Sequence, residues 1–127
     1  QMRISGGGSI VTFSSVAAVF AWPARLAYSV AKAGILALTR TLSVEWAELG
    51  IRVNAVAPGY VDTPLIQSAV TSGALAEDVG PLHALNRMAC TEEIANAVLF
   101  LLSDGSSFIT GETLFVDGGF HVKKVSW

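Results

Sequence analysis

An α/β fold on a parallel sheet is what this sequence predicts, from two observations. Segments read strand, helix, strand, helix, strand, and the strands are continuously apolar rather than alternating. Continuous apolar strands suit a parallel sheet covered on both faces by its crossover helices. The first strand is Ser9-Ile10-Val11-Thr12-Phe13-Ser14, a β-branched and aromatic run that reads as buried, set off by an ordinary turn at Gly6-Gly7-Gly8. A helix follows over Ala27 to Leu49, where Ile35, Leu38, Leu42, Trp46 and Leu49 recur at three and four to draw an apolar stripe. Gly50 ends it, since glycine readily takes the left-handed conformation at a helix end. The second strand is Ile51–Ala57, closed by Pro58-Gly59. From Tyr60 to Ala89 the pattern weakens to a long loop with helical pieces, Pro64 opening one of them. Excursions of this length are more often lids or binding segments than idle connections. The last helix starts at Thr91, with Thr91 as cap, Glu92 and Glu93 at its positive end, and Ile94, Ala97, Val98, Leu101 and Leu102 as its stripe. Thr113–Val116 is the third strand, ended by Asp117-Gly118-Gly119.

Composition narrows the function. The 127 residues are 52% hydrophobic and 14% charged, with a net charge of −2. That composition excludes a disordered chain, and eight Lys+Arg against ten Asp+Glu leave no footprint for nucleic acid. The longest apolar stretch, Val16–Ala24, is too short to span a membrane and contains Pro23. Gln1–Ile10 lacks the apolar core of a signal peptide, and the single Cys90 suits a reducing compartment, so a cytoplasmic location is expected. Cys90, His83 and His121 lack metal-ligand spacing, and no metal is expected.

Two groups of residues carry chemistry. Tyr28 and Lys32 stand one helical turn apart, and an ammonium beside a phenol favours the phenolate. Moving a phenol from about 10 to about 7 takes roughly 4 kcal/mol, more than one surface lysine supplies. Alone, the pair is usually a solvated neighbour contact. Ser14 and Ser15 end the first strand, where parallel sheets hold their ligands, yet serines there also simply satisfy backbone groups.

The combination says more. Ser15, Tyr28 thirteen residues on, Lys32, then Asn54-Ala55-Val56-Ala57-Pro58-Gly59 with Thr63, and finally Ile109-Thr110-Gly111 and Val116-Asp117-Gly118-Gly119 resemble the short-chain dehydrogenase/reductase family from Gly8 to about Phe120. The resemblance implies an NAD- or NADP-dependent oxidoreductase acting on an alcohol/ketone pair. Tyr28 matches the family's acid/base, Lys32 the lysine on the nicotinamide ribose, and Ser15 the serine that orients the substrate oxygen; Ser14 is one residue too far. Pro58, Gly59, Val61 and Thr63 match the loop against the nicotinamide half. Lys32, where a dehalogenase-like relative would have Arg, favours the dehydrogenase reading.

The family's opening strand and its Gly-rich phosphate turn have no counterpart here, since Gly6-Gly7-Gly8 precedes the serine strand and no helical pattern follows it. The resemblance therefore implies the C-terminal half of a doubly wound, Rossmann-like parallel-sheet domain, with residues 1–127 a single partial domain and 60–89 its substrate-binding loop or lid. A homo-oligomer is implied, or pairing with a missing N-terminal half. The competing reading is a non-catalytic half domain or assembly module. Trp22 and Phe20 are placed at the substrate entrance, where they suit an apolar substrate. His83 has two readings, substrate contact and solvated loop residue; Cys90 reads as a bystander, and Trp127 as an interface residue or a free tail.

Overall fold

A computed structural model describes residues 1–76 and 78–124, so Trp127 lies outside the described residues. Strands β1 (Gly8–Phe13), β2 (Ile51–Pro58) and β3 (Thr113–Val116) form a parallel sheet in the order β1-β2-β3. Helix α1 (Leu26–Glu45) joins β1 to β2, and α2 (Pro64–Thr71) and α3 (Thr91–Leu102) lie between β2 and β3. The central strand carries the core, with Val53, Ala55, Val56 and Ala57 fully buried. The first strand departs from expectation. It is half-buried, its ends Gly8 and Phe13 exposed, because among the described residues it has a strand neighbour on one edge only. The long helix also ends earlier than its pattern suggests, tightening to a 3₁₀ turn at Ala47–Leu49 before Gly50 turns left-handed at φ 70°. There the Gly50 carbonyl comes so close to Gly7 that a Cβ on Gly7 would not fit, which explains a glycine at that position.

The helices cover opposite faces of the sheet. Thr12 Oγ1 meets Thr39 Oγ1 of α1 at 2.7 Å, while Ser9 Oγ donates to the Leu101 carbonyl of α3 at 2.8 Å. Residues 9 and 12 differ in parity along one strand, so their side chains leave opposite faces. Both crossovers step the same way along the sheet yet pass on opposite sides, so they have opposite hands. One is therefore the rare left-handed kind.

The line α1 buries is not its apolar stripe. Leu36, Thr39 and Ser43 are buried, whereas Leu38 is exposed and Ile35, Leu42, Trp46 and Leu49 are half-buried. Small side chains let a helix sit close to a strand, and Val53, Ala55 and Ala57 share the face that Thr12 presents to α1. The hydroxyls are satisfied locally: Thr39 Oγ1 donates to Ile35 O at 2.8 Å and Ser43 Oγ to Arg40 O at 2.7 Å. Hydrophobic periodicity cannot register such a contact.

Helix α3 is secured at both ends. Its cap position is Cys90 rather than Thr91, and Glu93 reaches back to accept the Cys90 N–H at 2.9 Å. Arg87 grips the same carboxylate through both nitrogens, at 2.7 and 2.8 Å. The Arg87 hydrogen bond, then the Cys90 N–H, bring the Glu93 carboxyl down to about 2. At the other end Arg52 of β2 donates to the Leu101 and Ser103 carbonyls at 3.0 and 3.1 Å and to Ser106 Oγ at 2.9 Å. A cation there complements the negative end of the helix. Buried Asn54 then stitches the approach to β3, donating to Ile109 O at 2.8 Å and accepting from Glu112 N at 3.0 Å. Among the described residues no helix is long and apolar enough to cross a membrane, and no His/Cys/Asp/Glu cluster is arranged to hold a metal ion.

Candidate active site

Parallel strands deliver their carboxyl ends to one edge of the sheet, and the singled-out residues gather there. The chain leaves β1 through Ser14 and Ser15. Ser14 extends the ladder, donating its N–H to Val56 O at 2.8 Å, and its hydroxyl donates to the Lys32 carbonyl, also at 2.8 Å. Ser15, buried and extended, caps the 3₁₀ turn Val16–Ala18 by accepting from Ala17 N at 3.2 Å. Among the described residues nothing accepts the proton of its hydroxyl.

Tyr28 stands in the first turn of α1, 46% exposed. One turn on, Lys32 Nζ donates to the Phe13 carbonyl at 3.0 Å and lies 5.7 Å from the centre of the Tyr28 ring. The strand end thus holds the ammonium beside the phenol, where a surface lysine would roam. An ammonium has three donors. Phe13 takes one, which leaves two for a ligand.

The other wall follows β2. Gly59 N donates to Val116 O at 3.2 Å, and a Cβ on Gly59 would stand 2.8 Å from His83 Nε2 and 3.2 Å from Asp117 Cα. His83 is buried, which overturns the solvated reading. Its Nε2 accepts the Tyr60 backbone N–H at 3.1 Å, which leaves Nδ1 as the donor. Nδ1 then donates toward Val79 O and Gly80 O, both at 3.2 Å. His83 therefore ties the segment after β2 to the 3₁₀ turn Gly80–Leu82 and contributes no surface to the cavity below. Val61 forms an isolated parallel bridge with Ala89, and Thr63 caps α2, its Oγ1 accepting from Ile66 N at 3.4 Å.

Ser15, Tyr28 and Gly59 line one cavity of about 350 Å³. Trp22, Arg25 and Tyr60 line it with them, and Leu65, Ile66, Ala69 and Leu75 form its far wall. Lys32 touches it through Tyr28, while Pro58, Val61 and Thr63 lie on the adjoining segment outside the lining. Phe20 stands behind the wall, stacked on Trp22 with ring centres 5.6 Å apart. Sequence reasoning passed over Tyr60 and Arg25, although Tyr60 directly follows Pro58-Gly59 and Arg25 precedes Tyr28 by three. Burial pushes the Tyr60 phenol up, and the charge of Arg25 opposes it. Cys90 is exposed and outside the cavity.

The glycine turn after β3 is closed by Asp117, which accepts from Gly119 N at 3.0 Å, from His121 N at 2.8 Å and from the His121 ring. Burial pushes the Asp117 carboxyl up, but these donors outweigh it and hold it below the usual range.

A family model described as enoyl-(acyl carrier protein) reductase matches residues 1–121. An NAD-dependent glycerol dehydrogenase from Listeria innocua serovar 6a is 42% identical over 123 residues, 97% of this chain and 48% of that protein. The structure of a short-chain type dehydrogenase/reductase from Mycobacterium ulcerans superposes with a TM-score of 0.88 at 36% identity, over 97% of this chain and 45% of that one. A gluconate 5-dehydrogenase from Burkholderia cenocepacia J2315, in complex with NADP and tartrate, gives a TM-score of 0.88 at 33% identity, over 97% and 48%. The chain spans about half the length of the curated relatives it matches.

Proposed function

The chain belongs to the short-chain dehydrogenase/reductase family, and from that premise we propose that it carries the catalytic groups of an NAD(P)-dependent oxidoreductase interconverting an alcohol and a carbonyl. The observation behind this reading is that Ser15 and Tyr28 line one cavity while Lys32 is held against Tyr28. Ser15 donates its uncommitted O–H to the substrate oxygen and fixes its direction. Tyr28 gives its phenolic proton to that oxygen in reduction and takes it back in oxidation. As the proton leaves, negative charge grows on the phenol oxygen, and the nearby ammonium stabilises it.

Lys32 has two donors free for a vicinal diol, which suits a nicotinamide ribose, and the segment bearing Pro58, Gly59, Val61 and Thr63 adjoins it. NAD(H) or NADP(H), when bound, supplies or removes the hydride. The residues at 60–89 act as the substrate-binding cover, since Leu65, Ile66, Ala69 and Leu75 come from it. Replacing Tyr28 by Phe is expected to lower kcat by about 100-fold or more at similar KM, the usual worth of a general acid. Full activity in that variant would sink the proposal.

A second reading, a half domain that binds no coenzyme alone, is favoured by the free edge of β1. Titration of the 127 residues with NADH and NADPH separates the two. Saturable binding refutes the second.

A further inference from the structure

Resting on the catalytic reading above, we infer that the cavity takes a monoanionic substrate, an apolar alcohol or ketone bearing a carboxylate, and that Arg25 selects it. Three observations converge. Arg25 is the one charged residue among the described lining residues, and the lining that α2 and the turn after it contribute is apolar: Leu65, Ile66, Ala69 and Leu75. Among the described residues, no carboxylate lies within ion-pair distance of its guanidinium; the pairs formed are Arg87–Glu93 and His121–Asp117. Finally, Arg25 is exposed at the N-cap of α1, where a donor-only guanidinium cannot cap and its charge opposes the positive end of the helix. Its place between Trp22 and Tyr28 is thus unexplained by helix stability.

The chemistry narrows the ligand. A guanidinium presents paired N–H donors that match the two oxygens of a carboxylate. A phosphate carries roughly −1.5 to −2 charges at neutral pH, and one cation beside an apolar wall leaves part of that uncompensated. A neutral substrate leaves the guanidinium unused. The charge of Arg25 also reaches the cavity interior, since it opposes the upward push of burial on the Tyr60 phenol. The substrate would lie with its carboxylate on Arg25, its apolar body against the α2 wall and its reacting oxygen between Ser15 and Tyr28.

The test compares 4-acetylbenzoate with its methyl ester, which differ at the carboxylate alone. The protein is assayed with NADPH and NADH, and binding of both compounds is measured by calorimetry, which needs no turnover. Wild type is expected to prefer the acid, and Arg25→Gln to reduce the acid-to-ester ratio of kcat/KM and of affinity about 10-fold or more, the worth of one charge-assisted hydrogen bond. Arg25→Lys should recover part of it. Equal binding of acid and ester by wild type, equal losses for both in Arg25→Gln, or a loss confined to coenzyme affinity would overturn the inference. Tyr28→Phe keeps the outcomes distinct. If that variant still turns over substrate while the acid-to-ester ratio persists, the catalytic reading falls and the assignment of Arg25 stands.

Discussion

Ser14 and Ser15 are adjacent and both buried, yet their protons go to different places. Ser14 spends its hydroxyl on the Lys32 carbonyl, whereas Ser15 accepts from Ala17 N and its proton has no acceptor among the described residues. Their alanine variants should therefore separate. Ser14→Ala is expected to cost about 1 kcal/mol in urea unfolding, with little change in chemistry. Ser15→Ala should lower kcat/KM about 100-fold, as loss of a donor to the reacting oxygen does. Gly59 is a second residue whose role is fixed by its surroundings. A Cβ there meets His83 Nε2 at 2.8 Å and the Asp117 backbone at 3.2 Å, and neither has room to yield. Gly59→Ala is expected to destabilise by about 1–3 kcal/mol and to loosen the Tyr60–His83 hydrogen bond, visible as a shifted His83 imidazole resonance.

Among the elements, α3 depends most visibly on side chains outside itself. Arg52 supplies its C-terminal carbonyls from β2, and Arg52→Met should cost about 1.5–3 kcal/mol, the range for hydrogen bonds to a charged group. At the N-terminus the Glu93 carboxyl stands at about 2 against an ordinary 4.5. The unfolded chain therefore binds this proton more readily than the folded one. The stabilisation is complete above about 4.5 and is lost as pH falls toward about 2, so Glu93→Gln should flatten the pH dependence of stability in that window. Helix α1 shows what a pattern misses. Its place in the sequence was legible, but the face against the sheet is Leu36, Thr39 and Ser43, where small residues and internally bonded hydroxyls allow close approach.

For the molecule as a whole, the parallel sheet and every main element were legible, because glycine, proline and β-branched runs mark them locally. Helical spacing paired Tyr28 with Lys32, but their grouping with Ser15 was legible only through the resemblance that the ordered motifs carry. Arg25 and Tyr60 were not, since a cavity wall assembled from a strand end, a helix start and a distant loop leaves no local pattern. Nor was the opposite hand of the two crossovers, which depends on which face of the sheet α3 chooses. The outer surface carries a further expectation. Leu26, Val30 and Val44 of α1 are 80%, 62% and 77% exposed, and among the described residues β1 has an unpaired edge. Such surface tends to self-associate. The isolated 127 residues should sediment as oligomers, and a concentration-independent monomer would contradict this.

The bridge between Val61 and Ala89 pins the two ends of the intervening stretch side by side. With its ends clamped, that stretch is a closed loop in which buried His83 holds the later part to Tyr60, while the part carrying α2 can be exchanged. Doubling its length adds only about 0.6 kcal/mol of closure entropy. The groups proposed for proton transfer lie just after β1 and on α1, outside the clamp, while Leu65, Ile66, Ala69 and Leu75 sit inside it. Grafting a foreign insert in place of α2 would therefore change which molecules are accepted while leaving His83 and the reactive geometry in place, a division of labour suited to rapid divergence of substrate choice.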